Sequence, residues 1–403
     1  MRRSHPVPGS RIHMRPPPPR RGTLPRAPAP VRAALPLLAA LAIAACNRGS
    51  GGQVTFALAG PLRQDLGIST RQGAELAVKQ INADGGIKGK TLVLVPRDDG
   101  ADQRTAINIA AELVRNADVV ALAGPVNSGT TIASAAIYNG ESDSVSGHLP
   151  ALATTATSPD VSRLGDWTFR VASSDSANAV ALAEAARQIS PSVAVMYVND
   201  DYGRGLAAAF RDALVKGGGS VAEYDPFSDS TADFTPYLRR MQMRGVGMVF
   251  IAGLDASAER IIQQARGIGL QARFIGGDGL VPLAQKGAIY DGTMVGLLYH
   301  PAAGERAQAF ATAYREAYKR EPDPFAAAAY DAVMLLATAA RANGATRDGI
   351  QRYLHTLGRE GGAPAFEGAA GTIRFDENGD PLQKAFAVGT IQNGTIQLTR
   401  GTR

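Results

Sequence analysis

The chain has 403 residues, room for two domains of ordinary size, and its 45% hydrophobic and 19% charged content excludes a disordered polymer. A net charge of +6 and a pI near 9.5 suggest a nucleic-acid binder until the charges are located. Eight of the 42 basic side chains, all arginine, fall in residues 1–45 with no acidic residue among them, leaving 34 basic against 36 acidic groups in residues 46–403. The body is therefore near neutral, and no nucleic-acid partner is expected.

In chain order, residues 1–32 are rich in Arg and Pro and too Pro-broken to pack. An apolar run, Ala33 to Ala45, follows; it is too short for a stable transmembrane helix and is the one membrane candidate the sequence offers. Basic region, short apolar region and small residues together describe an export signal over 1–45, with Met14 an alternative start. The segment Leu41-Ala-Ile-Ala-Ala-Cys46 resembles a bacterial lipobox, which implies acylation of Cys46, the only cysteine. A soluble exported protein with an incidental cysteine is the alternative. With Cys46 carrying lipid, the body has no disulfide, and residues 46–53 form a flexible tether.

Beyond the tether, apolar runs alternate with helical spacings. Strands are predicted at 54–60, 91–95, 119–123 and 149–153. Between them, Ala74, Ala77, Val78 and Ile81, then Ala106, Ile109, Ala110 and Leu113, fall at helical spacing. A second series has strands at 192–198, 247–253 and 272–277. Its helices carry Leu206, Ala209, Phe210 and Ala213, then Ile261, Ile262, Ala265 and Ile268. Continuous apolar runs mark parallel strands covered on both faces, and alternation with helices marks doubly wound α/β sheets. Helices are predicted at 305–319, 325–342 and 346–357, and strands at 371–375, 384–391 and 394–398, joined by Gly/Asn turns.

Enzyme motifs are missing. There is no G-x-x-x-x-G-K-[ST] and no G-x-S-x-G. Gly267-Ile-Gly269-Leu-Gln-Ala272 follows a helix rather than a strand, the reverse of a dinucleotide site. His148, His300 and His355 have no metal spacing, and "FDENGDP" (375–381) misplaces the glycine of a calcium loop and reads as a turn. No metal, no cofactor and no catalysis are expected.

The stretches "INADGGIKGKTLVLVPRDDGAD" (81–102), "AGPVNSGTTIAS" (123–134), "ATTATSP" (153–159), "VNDDYGRGLAAAF" (198–210) and "QARGIGLQARFIGGDG" (264–279) resemble the type I periplasmic binding proteins. The likeness is to the leucine/isoleucine/valine-binding branch of ABC-transporter substrate-binding proteins. It implies two α/β lobes of doubly wound parallel sheets joined by three hinge strands. One lobe would be 54–173 with 300–372, the other 174–299 with 373–403. By resemblance Ser128 takes a ligand carboxylate, with Thr155, Ala156 and Thr157 completing the carboxylate and amine contacts. Asp175 and Asp278 hold the ammonium, Asp278 standing where the family usually has Glu, and Tyr202 comes from the second lobe. Ser128 and Thr157 as helix caps, Asp175 as an N-cap and Tyr202 as core packing are the structural alternatives.

The expected activity is capture of a small amino acid, branched-chain or hydrophobic, by hinge closure. A lipid-anchored monomer would deliver it to an ABC permease and its ATPases. An amide, urea-like or aromatic acid ligand, or a sensor role, is the alternative. Besides Asp278, four features depart from the family: Leu254 replaces an aromatic residue, the loop 60–70 is short, residues 139–148 are inserted, and the family's disulfide near the first lobe is missing.

Overall fold

Residue by residue along the first strand, burial alternates between two clusters. Phe56 and Leu58 join one, Ala57 and Ala59 the other. That is the signature of a strand covered on both faces. The computed structural model describes residues 52–382, 384 and 386–398; Cys46 and the expected signal lie outside them. Strands β1 (Gln53–Gly60), β2 (Thr91–Asp98), β3 (Val119–Ala123), β4 (Ala151–Ala153) and β5 (Thr168–Arg170) form an all-parallel sheet in the order β2-β1-β3-β4-β5. Helix α1 (Asp65–Ala83) covers one face through Ala74, Ala77 and Ile81. Helix α2 (Gln103–Arg115) covers the other through Ile109, Ala110 and Leu113, beside α3 (Ser128–Tyr138).

The chain then passes to a second unit of α4 (Asp175–Arg187), β6 (Ser192–Val198), α5 (Asp201–Lys216), β7 (Ser220–Phe227), α6 (Thr235–Met243), β8 (Met248–Ala252), α7 (Asp255–Gly267), β9 (Arg273–Gly276) and β10 (Met294–Leu297). It returns to the first sheet with α8 (Glu305–Tyr318), α9 (Pro324–Asn343), α10 (Arg347–His355) and the hairpin β11 (Phe366–Gly368)–β12 (Gly371–Ile373). A third passage leads to β13 (Ala387–Gln392) and β14 (Thr395–Leu398). The second sheet runs β14-β13-β10-β9-β8-β6-β7.

Three results differ from the sequence expectation. The second sheet is mixed, because β13 pairs antiparallel with both β10 and β14. A two-residue connection, Asn393 and Gly394, both at positive φ (50° and 77°), allows no crossover and forces the hairpin. The predicted strands at 371–375 and 384–391 are in fact 371–373 and 387–392, and the one at 149–153 begins at 151. Strand β7 with α6 escaped the periodicity because the middle of the strand, residues 221–225, is only partly buried. Its acidic residues Glu223 and Asp225 are instead held by Arg240 of α6.

Helix α9 is long and apolar enough to cross a bilayer, yet it lies inside the fold and packs on α1. Its alanines let the two backbones approach closely. A methyl group on Gly73 of α1 would lie 2.0 Å from the Ala326 carbonyl oxygen. Gly73→Ala is therefore expected to destabilise the fold by about 1–3 kcal/mol despite alanine's better helix propensity, read as a lower melting temperature.

Candidate functional site

Strand β3 feeds α3 through a turn that ends on Asn127, an extended residue in the N-cap position. Asparagine there ordinarily caps the helix, but this side chain makes no capping bond, and its Oδ1 is buried without a partner. The Thr130 and Thr131 hydroxyls both donate to the Asn127 carbonyl, at 3.1 and 2.8 Å. The first N–H groups of α3 are thus left for an external anion. Ser128 stands on that first turn, buried, with Oγ accepting from the Ser158 N–H at 3.2 Å. A hydroxyl that accepts in this way keeps its own proton to donate.

The loop after β4 faces it. The N–H groups of Thr155, Ala156 and Thr157 have no acceptor among the described residues. The Thr155 hydroxyl donates to the Val126 carbonyl at 3.2 Å, so this residue can offer an incoming carboxylate only its N–H. The Thr157 hydroxyl is buried and unpartnered.

Two carboxyl groups complete the arrangement. Asp175 is the first residue of α4, one place inside the helix, with Ser174 and not Asp175 as its cap. Its N–H donates to the Thr157 carbonyl at 2.8 Å, which ties the loop to the chain passing into the second sheet. The Asp175 side chain is 2% exposed and its Oδ2 has no partner. Burial first, and then the nearby Asp278 charge, push its pKa up to about 8. The Thr157 hydroxyl lies close enough to oppose this, though not at hydrogen-bonding geometry. Asp278 follows β9 at the head of a 3₁₀ segment, Asp278–Gln285, and burial pushes it up to about 6. Its own N–H, the Tyr202 hydroxyl and the Gly279 N–H pull the other way. Tyr202, in the first turn of α5, donates to Asp278 Oδ1 over a long 3.4 Å. Neither aspartate is in an ion pair among the described residues.

The seven sequence-selected residues therefore converge between the two sheets. The walls touch beside them: Gln103 donates to Asp201 at 2.9 Å, and a Cβ on Gly205 would lie 2.7 Å from Ser158 Oγ. One wall is apolar, with Leu254 packed on Leu66, Val126 and Phe325.

Sequence reasoning missed Arg170 and Asp380. The Arg170 side chain is fully buried at the end of β5. Its Nε and Nη2 donate to the Asp380 carboxylate at 2.6 and 2.7 Å, and Nη1 donates to the Ser158 and Ala156 carbonyls at 2.8 and 3.3 Å. Asp380 sits in the "FDENGDP" turn, where Gly379 adopts φ 77° and a Cβ would press on the Thr168 carbonyl at 2.8 Å. That acidic turn was legible as a turn, but nothing in either segment shows that they meet 210 residues apart.

Comparison with known proteins gives a consistent result. The sequence profile described as "Periplasmic binding protein" matches residues 54–395. The chain is 29% identical over 353 residues to a "Leu/Ile/Val-binding protein homolog 3" of Brucella melitensis, covering 84% of this chain and 90% of that one. An ABC transporter substrate-binding protein from Desulfitobacterium hafniense, solved in complex with Leu, superposes with a TM-score of 0.72 at 29% identity, covering 86% of this chain and all of the other. A leucine-binding protein from Thermotoga maritima superposes with a TM-score of 0.76 at 26% identity, covering 86% of this chain and 97% of that one.

Proposed function

We propose, because this chain belongs to the periplasmic binding protein family, that it is an extracytoplasmic receptor for a small amino acid of the branched-chain or hydrophobic type. The observation that carries this reading is the pair of buried, unpartnered atoms Thr157 Oγ1 and Asp175 Oδ2 beside an uncapped helix start. A zwitterion supplies what both ends lack. Its carboxylate takes the N–H groups of α3 and of Thr155–Thr157 together with the Ser128 hydroxyl. Its ammonium lies between Asp175 and Asp278, below Tyr202. Each charge-assisted bond contributes about 1.5–3 kcal/mol in such a dry site. The names of the two leucine-associated structures favour an aliphatic side chain against Leu66 and Leu254.

In this reading 54–173 with 300–372 forms one lobe and 174–299 with 373–403 the other, and ligand favours closure because both lobes contact it. Cys46 acylation tethers the receptor to a membrane, where the loaded monomer engages an ABC permease and its ATPases. The relatives are solute-binding proteins, and catalysis is not part of the reading.

A thermal-shift screen of the mature chain against amino acids, amides and aromatic acids tests it. A ligand at about 100 times its Kd adds about 2.7 kcal/mol of stability. A shift with leucine or valine is the expected result. Silence from all amino acids with a shift from an aromatic acid transfers the site to the alternative ligand class.

Affinity is also expected to depend on pH. Asp175 and Asp278 must lose protons to hold an ammonium, and their pKa values lie near 8 and 6 in the empty site. Binding therefore releases protons and strengthens as pH rises from about 5 to 8, by up to roughly tenfold per unit for each linked proton. Calorimetry in buffers of different ionisation enthalpy reads the proton release directly.

A further inference from the structure

Two contacts between the first and second units lie beside Ser128, and both are made without a ligand. The first is a bridge. Gln103, exposed at the start of α2, donates its side-chain amide to Asp201 Oδ2 on α5 at 2.9 Å, across 98 residues of sequence. Asp201 is held ready for it, because Arg204 donates to its other oxygen, Oδ1, at 2.5 Å and is itself tied to the Asn199 carbonyl at 3.2 Å. A Cβ on Gly129 would lie 2.9 Å from Gln103 Nε2 and 3.1 Å from Asp201 Oδ2, so the bridge passes over bare backbone one residue beyond Ser128. The second contact is α5 itself, lying against the loop after β4. A Cβ on Gly205 would lie 2.7 Å from Ser158 Oγ and 2.9 Å from Pro159 Cδ. Ser158 is the residue whose N–H donates to the Ser128 hydroxyl at 3.2 Å. One helical turn before Gly205, the same face of α5 carries Tyr202 toward Asp278. Both glycines are helical, so close approach rather than a left-handed backbone is what each position requires.

We propose that the Gln103–Asp201 bridge and the Gly205 contact form a latch beside the carboxylate end of the site, and that this latch sets how long a bound amino acid stays. The proposal rests on the reading in which two lobes close on an amino acid. Both contacts need the lobes together and neither needs the ligand, so they favour the closed form of the empty and the loaded receptor alike. A ligand leaves only when they break. Gln103, Gly129 and Gly205 are therefore positioning residues: they touch no ligand, and they hold Tyr202 and Asp278 against the Ser128 side of the cleft. Loss of the latch shortens residence without slowing entry, because the ligand enters through the open form.

The test is stopped-flow binding of L-leucine and L-valine to the intact mature protein, paired with small-angle X-ray scattering of the ligand-free form. Gln103→Glu sets two carboxylates face to face and is expected to raise the dissociation rate about tenfold without slowing association. The same change is expected to enlarge the ligand-free radius of gyration. Gly205→Ala is expected to raise the dissociation rate similarly. Because alanine favours the helix and the lobes can part, its ligand-free melting temperature is expected at or above that of wild type. Gln103→Glu with Asp201→Asn exchanges donor and acceptor at the bridge and is expected to return dissociation to within about twofold of wild type. Failure of that rescue assigns the effect to surface charge and overturns the bridge. Dissociation and scattering unchanged in Gln103→Glu and Gly205→Ala overturn the whole latch and leave the amino-acid site standing. Silence from both amino acids, with Gln103→Glu still enlarging the ligand-free protein, overturns the branched-chain assignment and supports the latch. Silence with unchanged scattering overturns both.

Discussion

Asp175→Asn is expected to weaken amino-acid binding by two orders of magnitude or more and, at pH 8 and above, to raise the melting temperature of the ligand-free protein. Both effects have one cause. The Asp175 carboxyl group is buried, lacks a partner for Oδ2 and has its pKa pushed up to about 8. Its folded pKa lies above the unfolded value of about 3.9, so the folded state holds the extra proton between those limits. Ligand-free stability therefore falls as pH rises from about 4 to 8, and the penalty is complete above 8. Asparagine has no charge to desolvate and shows no such fall. With ligand bound the balance reverses, because an ammonium left beside a neutral amide is a buried, incompletely paired charge. Removing one member of such a pair costs about 3–5 kcal/mol, a factor of a hundred or more in Kd. Calorimetric titration gives the affinity and thermal unfolding across pH 5–9 gives the stability. A variant that binds normally, or whose melting temperature tracks wild type at every pH, removes Asp175 from the site.

Arg170→Met is expected to cost about 3–5 kcal/mol of folding stability, because it leaves the Asp380 carboxylate only the Ser162 hydroxyl and strands two carbonyls that the guanidinium now satisfies. A second consequence concerns the ligand. Arg170 holds the Ala156 and Ser158 carbonyls from outside the cleft, and the Thr157 carbonyl accepts from the Asp175 N–H, so three successive peptide units are fixed. The unpartnered N–H groups of Thr155, Ala156 and Thr157, which the proposed reading assigns to a ligand carboxylate, depend on that fixation. The double variant Arg170→Met with Asp380→Leu removes both charges, and is expected to recover part of the stability without recovering affinity. Unfolding in denaturant and a ligand titration separate the two readouts. Full recovery of binding in the double variant would make the pair structural only.

The sequence by itself determined most of the first sheet. Residues 54–60 and 119–123 are apolar throughout, and only a strand covered on both faces buries such a run. Helical spacing at Ala74–Ile81 and Ala106–Leu113 named the faces that cover it. Local chemistry also located the strand–turn–helix junction at Ser128, where hydroxyls and bare N–H groups cluster within a few residues. What stayed hidden had weak periodicity or distant partners. Strand β7 is half-buried and depends on Arg240 for its acids, so no period-2 or apolar signal marks it. The antiparallel edge formed by β13 and β14 follows from a hairpin laid against β10, and pairing direction is a property of the neighbour rather than of the strand.

The candidate site divides in the same way. Ser128 and Thr155 to Thr157 could be chosen one segment at a time. That Thr155 has its hydroxyl proton occupied by the Val126 carbonyl and that Asn127 declines to cap are outcomes of packing between neighbouring loops, and that Asp278 raises the cost of charging Asp175 comes from segments more than a hundred residues apart. The Arg170–Asp380 clamp belongs wholly to the tertiary structure. Burial decides whether a charge must find a partner, and close approach decides which partner it finds. Both are set by long-range packing, so a linear reading names the chemical groups and the folded chain assigns their work.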